Sequence, residues 1–152
     1  MDKEDLYDVF FLSEGPAPEI ALEAANQASS LEDMLDIVFH LVYYSRKVIY
    51  SANDDIDNKT KALVYLGRIE EAFYVAVRAF HMMAMLRLGG LTEEELYRYV
   101  KDHLVALAHI YADIKNGKPL SDVINKLSRE YTALHGLIVD FIELVGSTFR
   151  DL

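Results

Sequence analysis

The chain has 152 residues, 52% of them hydrophobic, and a formal charge of −10 from 25 acidic and 15 basic side chains. That length is one domain's worth and buries a self-sufficient core without staples, while the negative potential opposes bulk coating of DNA and binding to anionic membranes. With no cysteine at all, disulfide scaffolds, thiolate zinc sites and cysteine nucleophiles are excluded.

The opening Met1-Asp2-Lys3-Glu4-Asp5 is acidic where a secretory signal requires positive charge, and no apolar run reaches the length of a membrane span, so a cytoplasmic protein is expected. A single glutamine, Gln27, and the missing cysteine lean toward a heat-adapted source. Close basic pairs include Arg46 with Lys47 and Lys115 with Lys118, and neither alone makes a strong patch.

Residues 1–28 are predicted as a short helical arm. Leu6, Val9 and Phe10 share one face of a first helix, which the prolines of Gly15-Pro16-Ala17-Pro18 interrupt before a second runs from Glu19 to Ala28. Residues 29–152 form the main domain. Ser29-Ser30-Leu31-Glu32 reads as a capping box, and Leu31, Leu35, Val38, Val42, Ser45 and Ile49 then recur at three-four spacing until Asn53-Asp54-Asp55 turns the chain.

From Asp57 to Leu88 nothing interrupts a stripe of Leu66, Ile69, Phe73, Ala76, Phe80 and Met83. About 31 residues at 1.5 Å each make a helix of roughly 45 Å, ended by Gly89-Gly90. The nearby methionines 82, 83 and 85 are core or interface filler, and His81 a boundary residue.

Thr92-Glu93-Glu94-Glu95 is a second capping box, opening a helix with Leu96, Val100, Leu104, Leu107, Tyr111 and Ile114 on one stripe and Asn116-Gly117 at its end. The last helix begins at Pro119 or Ser121 and repeats the pattern through Leu127, Tyr131, Leu134, Ile138, Phe141 and Val145. Four long helices joined by short connections predict an all-α, antiparallel, up-and-down four-helix bundle behind the arm.

Chemistry is harder to place. There is no G-x-S-x-G and no phosphate-binding glycine loop, since the one glycine pair lies between two helices. No Glu-x-x-His of the di-iron bundles occurs either. The nearest metal candidates are Asp36 with His40 and His109 with Asp113, each pair four apart and so on one helical face. No cofactor is expected.

The stretch Leu66-Gly67-Arg68-Ile69-Glu70-Glu71-Ala72-Phe73-Tyr74-Val75-Ala76-Val77-Arg78-Ala79-Phe80, running into Leu88-Gly89-Gly90, resembles the second helix of HEPN domains: a glycine, an acidic pair, small residues at helical spacing and a terminal glycine. The resemblance implies a small helical bundle, usually dimeric. In its RNase members an arginine precedes a histidine in the last helix, and Arg129 and His135, separated by five residues, stand there. The resemblance then implies that His135 assists proton transfer at a ribose 2′-hydroxyl and that Arg129 stabilises the scissile phosphate.

Arg98 and His103, separated by four residues, make a second such pair on the third helix, and at 100° per residue Arg129 falls nearly opposite the Leu127, Leu134, Ile138 stripe. The leading expectation is therefore a non-enzymatic interaction or scaffold module that homodimerises or docks to another protein. Its contact face should be apolar or tyrosine-rich, drawing on Tyr43, Tyr44, Tyr50, Tyr65, Tyr74, Tyr97 and Tyr99. The alternatives are a metal-independent HEPN-type RNase, the only reading that calls for RNA, and a metal-binding bundle.

Overall fold

The computed structural model describes residues 15–86 and 92–150. Within them the chain is all-α, with no strand: α1 (Pro18–Gln27), α2 (Leu31–Ser51), α3 (Ile56–Leu86), α4 (Glu93–Lys115) and α5 (Leu120–Arg150). The helix expected around Leu6 to Phe10 and the Gly89-Gly90 stop lie outside the described residues.

The helix starts follow from local hydrogen bonding. Thr92 and Glu95 form the reciprocal capping box expected of them. At α2 the cap is one residue later than Ser29 and Glu32 suggested: Ser30, in extended backbone, accepts from the Asp33 N–H at 3.0 Å, and the Ser29 hydroxyl reaches the Asp33 carboxylate at 3.3 Å. Shifting the cap makes Leu31 the first helical residue, where it is buried, and leaves the exposed Glu32 for an ion pair with Arg78 on α3. Asp55 caps α3 by accepting from the Asn58 N–H at 2.8 Å.

Cross-helix contacts give the direction of each packed pair. Glu32 with Arg78 and Arg46 with Glu70 run α2 antiparallel to α3. Asp113 with Lys126 and Tyr99 with Phe141 do the same for α4 and α5. Tyr65 with Tyr131 and Phe80 with Phe141 set α3 and α5 parallel, and these two helices make the most extensive packing in the molecule.

The stripes read from the sequence are the core. All six named positions of α2 and of α3 are buried, as are Val100, Leu104, Leu107, Tyr111 and Ile114 of α4. On α5, however, Tyr131, Ile138 and Val145 remain only partly buried between Leu127, Leu134 and Phe141. α3 and α5 have 31 residues each, against 21 in α2 and 23 in α4, so the longer pair outruns its neighbours and Val145, near the end of α5, stays part-open. Tyr131 lies within the stretch that α4 flanks, with its ring against Tyr65.

α1 lies chiefly along α4, its buried face made of Ala21, Ala24 and Ala25, whose small side chains allow close approach. The arm is tied at its start: the buried Tyr111 hydroxyl donates to the Pro16 carbonyl at 2.6 Å. Burial, with a smaller contribution from Tyr44, pushes the Tyr111 phenol from its ordinary 10 up to about 12.

The native state therefore holds that proton while the unfolded chain loses it. The stability it confers is complete below pH 10 and is lost as pH rises from 10 to 12, by roughly 2–3 kcal/mol. Urea unfolding across this range should show that decline, and Tyr111→Phe should flatten it while costing about 1–3 kcal/mol at neutral pH, because the Pro16 carbonyl loses its partner.

Candidate functional site: an apolar groove between α3 and α5

Where α3 and α5 outrun their neighbours, a groove of about 300 Å³ opens between them. Ala76, Ala79, Phe80, Ile138 and Phe141 line its floor, with the two phenylalanine rings 3.9 Å apart between centroids. Met82, Leu86 and Ile142 stand along its rim; Met82 is 60% and Ile142 65% exposed, and Met85 beside them reaches 70%.

Helical geometry accounts for the placement. Val75, Ala79, Met82 and Leu86 follow at steps of four, three and four, forming a second apolar stripe beside the buried one of Ala76, Phe80 and Met83. Ile138, Ile142 and Val145 repeat the device on α5. An apolar face wider than the core uses leaves apolar surface in water, and residues 75–86 already carry that pattern in the sequence.

Among the described residues no titratable or nucleophilic side chain lines this groove. Its capacity is therefore binding by burial of apolar surface rather than bond-making.

The tyrosines do not supply the face as expected. Tyr44 is buried, Tyr65 and Tyr97 are half-buried, and the exposed ones are divided among helices, Tyr43 and Tyr50 on α2, Tyr74 on α3 and Tyr99 on α4. Aliphatic and thioether side chains make the continuous surface instead. His81 is exposed rather than a boundary residue, and of the three methionines Met83 fills the core while Met82 and Met85 face out.

The candidate RNase residues are dispersed into separate contacts. Arg129 is exposed, and His135, also exposed rather than half-buried, lies against the Tyr131 ring at 6.0 Å. Arg98 pairs with Glu94 on its own helix at 3.4 Å, both largely solvated. His103 is engaged across the α4–α5 seam, its Nδ1 2.5 Å from Glu130 Oε1. That partner lies next to Arg129 in sequence, and no spacing rule pointed to it.

The metal candidates are likewise occupied otherwise. His40 Nδ1 bonds the Asp36 main-chain carbonyl at 2.7 Å, and Asp113 bonds Lys126. His109 is exposed. Among the described residues no three His, Asp or Glu side chains gather as a metal site, and no helix is long and apolar enough to cross a membrane.

No family model, no curated protein and no solved structure matches this chain.

Proposed function

We propose that this chain is a cytoplasmic, non-enzymatic helical interaction module, an antiparallel four-helix bundle of HEPN-like organisation that pairs with a second copy of itself through the α3–α5 groove. The observation that carries this reading is the exposed apolar rim around an apolar floor. At roughly 150–200 Å² per fully exposed residue, Val75, Met82, Leu86 and Ile142 of the groove together leave roughly 400 Å² of mostly apolar surface in water.

That is the size of the largest patch on an ordinary monomer, which is often a functional one, and about half of the roughly 800 Å² that each partner contributes to a stable interface. The face is also self-complementary. It holds a hollow and, beside it, long adaptable side chains able to fill the same hollow on a two-fold-related copy, as an isologous contact requires. Two like-charged molecules of −10 each need such a contact to be apolar.

Light scattering of the full chain should give a dimer mass, and Met82→Lys combined with Ile142→Lys should give a monomer of unchanged helicity, since both side chains already face solvent. A wild-type chain that stays monomeric up to about 100 μM would remove the second copy as occupant, and a different protein's helix would become the partner to seek. The same preparations, freed of trace nuclease, should leave a mixed RNA pool intact. Cleavage that disappears in His135→Ala would overturn the non-enzymatic reading.

A further inference from the structure

Residues 1–14 precede the described part of the chain, and the point at which they join it is fixed. Gly15, at φ +91°, packs so closely on Tyr44 that a Cβ there would lie 2.6 Å from Tyr44 Cγ. At the next residue the Pro16 carbonyl accepts from the buried Tyr111 hydroxyl at 2.6 Å. The chain therefore enters the fold beside the Tyr44 ring.

That ring is also one wall of a hollow of about 360 Å³ on α2, lined by Phe39, His40, Tyr43 and Tyr44. Helical spacing sets them in two adjacent columns, Phe39 with Tyr43 and His40 with Tyr44, each pair four apart. His40 is half-buried and Tyr44 buried, but the other column is open, with Phe39 38% and Tyr43 52% exposed. The Lys47 ammonium, 4.9 Å from the Tyr43 ring centroid, stands at one end of the strip, and Asp36, a turn before His40, at the other. Their charges oppose, so the attraction this strip offers is chiefly apolar.

The size of the opening selects its occupant. At about 200 Å² per fully exposed aromatic side chain, Phe39 and Tyr43 leave roughly 180 Å² in water. A separate partner contributes roughly 800 Å² to a stable interface, far more than this. A tethered segment does not need that area, because it meets the strip at an effective concentration of about millimolar.

The segment tethered at this edge has the composition to use it. In Leu6-Tyr7-Asp8-Val9-Phe10-Phe11-Leu12 six of seven residues are apolar, and their burial is favoured in proportion to the area removed from water. Its reach suffices: from Phe10 to Gly15 is about 7.5 Å as helix or about 17 Å extended, and Phe39 to Tyr44 occupy about 7.5 Å of α2.

We propose that residues 6–12 dock back on this aromatic strip of their own chain, their apolar side chains covering Phe39 and Tyr43, so that the N-terminus straps α2. The strip shares no residue with the α3–α5 groove, and the two readings are tested separately.

NMR of the full chain tests the strap. Nuclear Overhauser contacts should join the methyl groups of Leu6, Val9 or Leu12 to the ring protons of Phe39 or Tyr43. Amide order parameters of residues 6–12 should lie near about 0.85 in wild type and fall below about 0.6 in Phe39→Ser with Tyr43→Ser, while Tyr50→Ser, on the same helix but outside the hollow, should leave them unchanged.

Order parameters already below about 0.6 in wild type would overturn the proposal, as would values that the double serine variant leaves high. Methyl contacts to rings of other helices would overturn it too. In a mixture of differently isotope-labelled chains, contacts seen only between copies would give the strip to a second copy's segment and remove the strap within one chain.

Discussion

Replacing Phe80 with alanine should lower the unfolding free energy by about 3–5 kcal/mol, among the largest losses any single core substitution in this chain would cause. The ring is fully buried, it stacks against Phe141 at 3.9 Å, and it belongs to the seam between the two longest helices. Both the transfer term and the cavity term act at full strength, because α3 and α5 cannot close over the space without breaking their contacts further along. Urea unfolding at one fixed protein concentration measures the loss, the concentration being held because dimerisation adds to apparent stability. Phe80→Leu should cost clearly less. A loss below about 1 kcal/mol for the alanine variant would mean that this end of the α3–α5 seam is not packed as described.

The same residue shows why the surface and the core are energetically distinct here. Met82, two positions on, projects outward, so its replacement by lysine should leave the unfolding free energy of the monomer nearly unchanged while altering association. A substitution that removes the dimer by unfolding the chain and one that removes it by charging the groove can thus be told apart with one denaturation curve each.

Much of this architecture was legible in the sequence because helix formation and burial are periodic. The stripes of α2, α3 and α4 named buried faces, Thr92 and Glu95 named a cap, and Asn53-Asp54-Asp55 named a turn. The displacement of the first cap from Ser29 to Ser30 was not legible, since two adjacent serines each stand three residues before an acid and only the burial of Leu31 decides between them.

Sites are a different matter. A helical stripe says that a face is apolar, but not whether another helix covers it, and the half-open state of Val145 depends on α2 and α4 being shorter than their neighbours. Tyrosine content carries no helix phase, and the exposed tyrosines therefore fall on three different helices. His103 was paired by spacing with Arg98, whereas its partner is Glu130 on the next helix, a relation no local pattern records. Lys47, before the α2–α3 turn, and Lys118, in the α4–α5 turn, line one hollow only because the two turns share one pole of the molecule.

Gly15→Ala should cost about 2–4 kcal/mol, well beyond an ordinary glycine substitution, for two separable reasons. The backbone there is at φ +91°, which a side chain adopts only under strain, and the new Cβ would lie 2.6 Å from Tyr44 Cγ and 3.0 Å from the Tyr111 hydroxyl. Neither ring can yield cheaply. Tyr44 is buried edge-on against Tyr43, and Tyr111 is fully buried and bonded to Pro16. Relief must come from the arm, which lifts off α4 and breaks the Tyr111 bond as it goes. Trypsin is blind to residues 4–45, which contain no lysine or arginine, so a glutamate-specific protease is the probe: Glu19 and Glu23 on α1 should become cleavable in the variant under conditions where wild type resists. Gly117→Ala supplies the control, since it carries a similar strain at φ +78° with no neighbour within 4 Å, and should cost only about 1 kcal/mol. The excess at Gly15 over Gly117 then measures the docking of the arm on its two tyrosines, and equal losses would mean that the arm is not held there at all.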